Sequence, residues 1–219
     1  MGVKVLVAEM DKLIIKNNVV LGVTTKDGKQ LFAGKTLITC GSWTPVLLPH
    51  LSHVMKPTGQ VVFHFQVEPK LLDKFSNPKF PTYAADVTKT GFYGFPSDNT
   101  GRLKIGHHGP GFQMKNVSPA EIESTLKEYE KSMEAEFRAF LAASLPDIKD
   151  AKIIFSRLCM YCDTFDGNFL IDSDPNYDGL YIAAGGSGHG FKFGPVLGDL
   201  IADSVENKPS PWRSKFKWR

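Results

Sequence analysis

The sequence predicts a chain of mixed α/β and α+β class, in which part of a doubly wound sheet is combined with an antiparallel sheet and flanking helices. Three observations favour this class. Short β-branched runs separated by turn signals indicate antiparallel strands. One long segment has apolar residues at helical spacing. A glycine-dense loop at residues 185–195 follows an apolar run and precedes a helix-like segment, an order typical of cofactor-binding sheets.

Length and composition are those of an ordinary globular protein. The 219 residues, 42% hydrophobic and 22% charged, can build a substantial core in one or two domains. A net charge of +3 is too small an excess to indicate nucleic-acid binding. No apolar run reaches the roughly 18 residues that span a bilayer, and no signal peptide follows Met1. We therefore expect a cytoplasmic or peroxisomal protein without membrane or nucleic-acid partners.

The beginning of the chain predicts a small antiparallel meander and then a buried strand. Apolar, β-branched runs at residues 3–8, 13–15 and 19–25 are separated by the turn signals Asn17-Asn18 and Asp27-Gly28. Residues 36–40 are expected to form the buried strand, which ends at a turn over 41–45. No Gly-x-Gly-x-x-Gly occurs near the N-terminus. We expect the chain to open inside a domain, because its first strands need neighbours that this sequence does not hold.

The middle of the chain predicts a second, antiparallel layer with one long helix. Strands are expected at residues 61–67, 91–95 and 102–105. Ser118 has the features of an N-cap, because Pro119 and Glu121 follow it, and the helix should end at Leu145-Pro146. Its apolar face should pack on the antiparallel sheet.

The last part of the chain predicts three more strands and a final helix. The strands are expected at residues 152–160, 169–171 and 180–184, with turns at 163–168 and 172–179. After the glycine loop, Pro195 should open the helix. The expected inward stripe of this helix is Val196, Leu200, Ile201 and Val205.

The three cysteines, Cys40, Cys159 and Cys162, are too few for a disulfide framework. Cys159 and Cys162 have C-x-x-C spacing, which leaves a redox dithiol or half of a zinc site open. No second C-x-x-C or histidine pair completes a ligand set, and the preceding run indicates a strand rather than a tight turn. We expect no metal site, and the other interpretation of Cys159 is a small buried hydrophobe.

Five sequence blocks, taken together in chain order, form the most specific pattern in the sequence. They are Gly41-Ser42-Trp43-Thr44, residues 91–96, residues 103–108, Cys159-Met160-Tyr161 with residues 169–172, and residues 187–193. With these blocks the chain resembles the flavin-dependent amine oxidases of the monomeric sarcosine oxidase type. That family includes the fungal fructosyl amino acid oxidases (amadoriases) and the pipecolate and saccharopine oxidases. The sequence at 212–219 is similar to the tail of the fungal members.

The resemblance implies a division of the chain. Residues 1–56 would be the late part of a Rossmann-like FAD-binding domain, 57–158 an antiparallel substrate domain, and 159–219 the return to the FAD-binding domain. The family begins with a Gly-x-Gly-x-x-Gly turn and with arginines near the substrate, and this sequence holds neither. It is similar to the C-terminal half to two-thirds of such an enzyme.

The resemblance also implies roles for particular residues. Cys159 matches the cysteine that carries FAD through a thioether, and Lys104 matches the lysine that promotes reaction of reduced flavin with oxygen. His108 and His189 match two histidines that flank flavin and substrate. Tyr93 and Tyr161 match aromatic positions beside the substrate. Considered alone, Lys104 would be an outward-facing strand lysine, and the two tyrosines would be core residues.

The remaining matched positions surround the cofactor. In the glycine loop, Gly188 and Gly190 would allow close approach, and Lys192 would direct positive charge at the flavin N1 and C2 carbonyl. Trp43 and Met160 also fall at positions that the resemblance assigns to cofactor binding.

The implied function is FAD-dependent oxidation of a secondary amine or N-substituted amino acid by oxygen, giving an imine and hydrogen peroxide. The implied partners are a small-molecule amine, oxygen and a missing N-terminal segment or chain. The alternative is a truncated, inactive homologue that acts only as a binding or interaction module.

Overall fold

The computed structural model describes residues 2–86 and 91–219, which form two compact units. Unit 1 contains Met1–Lys56 and Cys162–Arg219, and unit 2 contains Pro57–Tyr161. The chain passes from unit 1 to unit 2 between Lys56 and Pro57 and returns to unit 1 between Tyr161 and Cys162. Each unit is described by itself below.

Twelve strands are assigned in the described residues. They are β1 (Met10–Lys16), β2 (Val19–Thr25), β3 (Gln30–Phe32), β4 (Thr36–Ile38), β5 (Met55–Gln66), β6 (Tyr83–Ala85), β7 (Phe92–Gly94), β8 (Arg102–His107), β9 (Phe112–Gln113), β10 (Ile153–Thr164), β11 (Leu170–Ser173) and β12 (Leu180–Ala184). The α-helices are α1 (Thr44–Leu47), α2 (Leu72–Phe75), α3 (Pro119–Ser144), α4 (Gly194–Val205) and α5 (Arg213–Phe216). Short 3-10 turns include Gly41–Trp43 and Gly190–Phe193.

The meander in unit 1 confirms the hairpin predicted at Asn17-Asn18, but its third strand is β3 rather than the expected run at residues 3–8. Strands β1, β2 and β3 pair antiparallel in that order. The first hairpin turns at Asn17 and Asn18, whose φ angles of 51° and 62° match the positive φ of a type I′ turn. Asn tolerates this conformation better than most residues do, so the sequence specifies the register locally.

The strand expected at residues 3–8 is not formed. Residues 2–9 have no regular secondary structure, and Val3, Val5 and Val7 are 77%, 86% and 104% exposed. A strand is stable only when a neighbour satisfies its backbone groups, and no described strand pairs with this run. A β-branched sequence therefore does not form a strand at residues 3–8 without a neighbouring strand to pair with.

The second sheet of unit 1 has the order β11-β12-β4, with β11 and β12 antiparallel and β12 and β4 parallel. Leu170, Leu180 and Ile182 are buried in the unit 1 core. The expected buried strand at 36–40 is instead a three-residue edge strand, β4, with Leu37 39% exposed. The prediction that Val196 belongs to the core-facing side of α4 is also wrong, because this side chain is 50% exposed.

Unit 2 is a six-stranded sheet covered on one face by α3. The strand order is β10-β5-β8-β7-β6, and β9 pairs with β5. The Ser118 side chain accepts a hydrogen bond from the Glu121 N–H at 3.2 Å, which confirms the predicted N-cap. The fully buried Phe137 of α3 has its ring centre 4.8 Å from that of Phe63 in β5. The predicted packing of helix on antiparallel sheet is confirmed, and so is the fold class.

Among the described residues, none of the helices combines the length and the apolar character that a membrane crossing requires.

Candidate functional site

The sheet of unit 2 has a second face, opposite α3, that gathers polar and aromatic side chains. In β8, Leu103 and Ile105 are fully buried and pair with Phe65 and Phe63, which lie on the α3 side. Because side chains alternate along a strand, Lys104 lies on the opposite face, where its cross-strand partner is His64. The strand register therefore separates the core face from a candidate site face.

Tyr93 and Gly106 are directly paired across β7 and β8 on the site face. A Cβ atom at Gly106 would overlap the phenol ring of Tyr93, so the absence of a side chain lets that ring lie over the strand. The ammonium nitrogen of Lys104 lies 5.8 Å from the ring centre of Tyr93 and 5.1 Å from that of Phe95. These distances are in the cation–π range, so two rings position the lysine.

Strand β10 brings Cys159 and Tyr161 to the same group of residues. Tyr93 and Tyr161 are joined by a side-chain hydrogen bond. Burial raises the pKa of the Tyr93 hydroxyl, and the nearby Cys159 contributes in the same direction, whereas Tyr161 and Arg157 oppose the rise. The ring of His108, just after β8, lies 5.7 Å from the Tyr161 ring. Tyr93, Lys104, His108, Cys159 and Tyr161 thus share one region of unit 2.

Arg157 is a site residue that the sequence analysis missed. Its Nε–H donates a hydrogen bond to the Cys159 sulfur at 3.2 Å, and Cys159 is half-buried. The guanidinium therefore lies directly beside a partly accessible thiol. The sequence could have indicated Arg157, because it is two residues from Cys159 in a predicted strand, and residues two apart on a strand share a face.

Three cationic side chains act on His64, which lies on the site face. Burial lowers the pKa of His64, and the charges of Arg102, Lys104 and Arg157 lower it further, whereas Asp98 opposes them. An anionic group, such as a carboxylate, is the natural complement of this surface.

Met160 and Cys162 have different surroundings from Cys159. Met160 alternates with Cys159 and Tyr161 along β10, so its side chain points to the other face of the strand. Cys162 is buried in unit 1, with its sulfur 3.4 Å from the Met55 sulfur, and burial raises its pKa to about 11. All three cysteines are free, and no group of three or more His, Cys, Asp or Glu residues suited to a metal ion occurs in the described ranges.

The glycine loop of unit 1 runs from β12 to α4 and is fixed at its first turn. Gly185 has a φ of 76°, and a Cβ there would lie 2.5 Å from the Thr164 side chain. The hydroxyl of Ser187 accepts a hydrogen bond from the Thr164 N–H at 3.2 Å. Gly185 therefore serves the packing of the loop. Gly188, with a φ of 71°, is exposed at the tip of the loop.

His189 is held by a backbone carbonyl. Its Nε2 lies 3.0 Å from the Gly167 oxygen, and its ring is 5.6 Å from Phe169. A carbonyl can only accept, so Nε2 carries the proton and Nδ1 is the acceptor nitrogen of the neutral ring. Lys192 is exposed, with its ammonium 5.4 Å from the Phe193 ring centre.

Unit 1 contains a cavity of about 620 Å³, within the size range of small-molecule sites. Its walls include His189, Lys192, Phe169, Trp212 and Phe216.

A second cavity of about 180 Å³ lies along Gly185, Gly186 and Gly190. A Cβ at Gly186 would meet nothing within 4 Å, so this part of the loop is open to an approaching group. Trp43 is 47% exposed on the turn Gly41–Trp43. His189 and Lys192 thus share one cavity, whereas Gly190 lines the other.

Relatives of known activity match most of the chain. It is 36% identical over 184 residues to monomeric sarcosine oxidase of Bacillus sp. (strain NS-129), covering 82% of this chain and 46% of the relative. It is 29% identical to L-saccharopine oxidase of Schizosaccharomyces pombe, covering 94% and 49% respectively. The chain spans about half the length of the curated relatives it matches.

The fold is similar to that of solved fungal enzymes. Fructosamine oxidase (Amadoriase II) of Aspergillus fumigatus superposes with a TM-score of 0.81 at 27% identity, covering 96% of this chain and 51% of that one. The family model of the FAD dependent oxidoreductases (DAO) matches residues 1–204. The resemblance stated from the sequence blocks is thereby confirmed, and the chain belongs to the DAO family of FAD dependent oxidoreductases.

Proposed function

We propose that this chain forms part of an FAD-dependent amine oxidase acting on a secondary amine or N-substituted amino acid. The overall reaction consumes the amine and oxygen and yields an imine and hydrogen peroxide; water then converts the imine to an aldehyde and the free amine. The observation that carries the proposal is the grouping of Lys104, Tyr93, Tyr161, His108 and Cys159 on one face of the unit 2 sheet. The named activities of the relatives support the same class of donor.

The residues of this face fit a flavin. Cys159 is partly accessible, and its sulfur accepts a hydrogen bond from Arg157. We infer that Cys159 would hold the flavin through a thioether to a methyl group of the ring. This bond would replace the S–H and one methyl C–H bond, and oxygen would take up the two electrons and two protons as hydrogen peroxide.

Accepting two electrons from the carbon–nitrogen unit of the amine and passing them to oxygen is the chemistry that FAD would supply when bound. Lys104 would stabilise the negative charge that develops on oxygen when it receives the first electron. Tyr93 and Tyr161 would orient the substrate through their hydroxyls, since both lie on the site face. His108, beside Tyr161, would donate or accept a further hydrogen bond.

The glycine loop of unit 1 supports a binding role of its own. His189 and Lys192 would contact an anionic or planar group in the cavity of unit 1. Gly190 lines the second cavity, of about 180 Å³, where it would contact another part of the cofactor, and the exposed Gly188 and Trp43 would contact the cofactor outside the two cavities. Phe193, at the N-cap of α4, has no side-chain acceptor, so the first N–H groups of that helix add positive potential.

Hydrogen peroxide production tests the proposal. The purified chain, with flavin content measured, would be offered sarcosine, N-methyl-L-tryptophan, saccharopine and a fructosyl amino acid. We expect peroxide with at least one of them and a loss of aerobic turnover in Lys104→Met, while anaerobic bleaching of the flavin by the amine persists. The control is Lys152→Met, which removes an exposed cation just before β10, and this variant should behave like the parent. A flavin-loaded chain that none of these amines bleaches would contradict the proposal.

A binding or interaction module is the second candidate, and exposed apolar residues favour it. Val5, Val7 and Phe191 are 86%, 104% and 101% exposed, so these apolar side chains are available to contact another polypeptide. A chain that binds no flavin and elutes as a defined complex with another polypeptide would support this candidate over the oxidase.

A further inference from the structure

Arg219 holds a turn that lies between β10 and β11. Its Nη2 is 2.6 Å from Asp166 Oδ1 and 2.8 Å from the Asn168 carbonyl oxygen, and its Nη1 is 3.0 Å from the Phe169 carbonyl oxygen. The guanidinium lies 5.5 Å from the ring centre of Phe165. One side chain, 19% exposed, thus contacts every residue of the segment 165–169 except Gly167.

The turn is also hydrogen-bonded within itself. The Asn168 N–H and side-chain amide both donate to the Asp166 carboxylate at 3.0 Å, and the Thr164 hydroxyl donates to the Asn168 carbonyl at 2.7 Å. Gly167, with a φ of 72°, lies between these fixed residues. The direction of its carbonyl is therefore determined by its neighbours Asp166 and Asn168, both of which accept hydrogen bonds from Arg219.

The Gly167 carbonyl oxygen accepts the hydrogen bond that His189 Nε2–H donates, at an N–O distance of 3.0 Å. Phe169 connects Arg219 to His189 by a second route. Its carbonyl oxygen accepts a hydrogen bond from Arg219, and its ring packs against the ring of His189. Gly167, Phe169 and His189 all line the cavity of about 620 Å³. Arg219 thus reaches the cavity wall through the turn, without lining the cavity itself.

We propose that Arg219 is a positioning residue that fixes His189 as the Nε2–H tautomer, so that Nδ1 is its basic nitrogen. The use of this tautomer in binding or catalysis rests on the proposed oxidase function. Arginine suits the task because its planar fork binds two carbonyls and a carboxylate together, whereas a lysine offers a point charge. Arg213 is a contrast on the same segment: its guanidinium bonds Asn207 at 2.6 Å and lies 3.8 Å from Asp172, outside the turn.

Nitrogen NMR of the ¹⁵N-histidine-labelled chain reads the tautomer directly, and His189→Gln identifies the signals. We expect a pyrrole-like Nε2 and a pyridine-like Nδ1 in the parent chain at neutral pH. In Arg219→Gln the ratio of Nε2–H to Nδ1–H forms should fall roughly two- to tenfold, the range that one net hydrogen bond supports. Arg219→Lys should not restore it, and Arg213→Gln should leave it unchanged.

Two results would overturn the proposal. One is a folded Arg219→Gln chain that keeps the parent tautomer ratio, and the other is an equal fall in Arg213→Gln, which would indicate general loosening of the segment. If Arg219→Gln does not fold, Asp166→Asn decides, because it keeps the shape of the carboxylate and removes its charge; an unchanged ratio there would also contradict the proposal. The measurement needs neither flavin nor amine, so it is separable from a failure of the oxidase function.

Discussion

The phenol ring of Tyr93 lies over Gly106, its direct cross-strand partner, in the space that a side chain would otherwise fill. This relationship sets the position of the ring against which Lys104 is held. It also places a hydroxyl where it bonds Tyr161. One glycine therefore supports much of the candidate site of unit 2.

Gly106→Ala should destabilise unit 2 by about 1–3 kcal/mol, because the new methyl group displaces the Tyr93 ring. Urea unfolding measures the loss, with Gly34→Ala as the control, since a Cβ there meets nothing within 4 Å. In a Tyr93→Ala background the cost of Gly106→Ala should largely vanish. A cost that is the same in both backgrounds would show that the ring is not the obstacle.

Arg157→Gln should slow alkylation of Cys159 by iodoacetamide at neutral pH. The loss of one hydrogen bond of ~1 kcal/mol that holds the Cys159 sulfur corresponds to a fall of about fivefold. Peptide mass spectrometry separates Cys159 from Cys162, which is buried and has a pKa raised to about 11, so it should react slowly in both chains. Lys152→Gln is the charge control. An unchanged rate at Cys159 in Arg157→Gln would show that Arg157 does not influence the reactivity of this thiol.

Asp166 should contribute stability that depends on pH. Burial opposes its ionisation, but hydrogen bonds from Arg219 and Asn168 outweigh this and hold the pKa of the carboxyl well below its usual range. A pKa lower in the folded than in the unfolded state stabilises the protein above the unfolded value of about 4, and this stability is lost as the pH falls below it. When the urea midpoint of unfolding is measured against pH, its decrease at acid pH should therefore be smaller in Asp166→Asn than in the parent. The substitution Asp150→Asn, at an exposed residue, should leave this decrease unchanged. An equal decrease in all three chains would refute this account.

Local signals predicted the elements that depend on local chemistry. The Ser118 cap, the Asn17-Asn18 hairpin and the strand Leu180–Ala184 were all identified, because a few adjacent residues determine each of them. The strand expected at residues 3–8 failed because its stability depends on a neighbour rather than on its own sequence.

The candidate site could be predicted only in part. The resemblance identified Lys104, Cys159 and Tyr93, but their common face follows from strand register, which single-sequence patterns do not reveal. Arg157 is visible once β10 is known to be a strand. Arg219 is more than 50 residues from Asp166, so no local pattern connects them.

The attachment of flavin to Cys159 is the central claim, and acid precipitation tests it most directly. The chain would be expressed with riboflavin available, purified, and precipitated with acid, and the visible absorbance of pellet and supernatant compared for the parent, Cys159→Ser and Cys40→Ser. The account predicts flavin bands in the pellet of the parent and of Cys40→Ser, and none in the pellet of Cys159→Ser. Flavin in the Cys159→Ser pellet, or no flavin in any of the three chains, would contradict it.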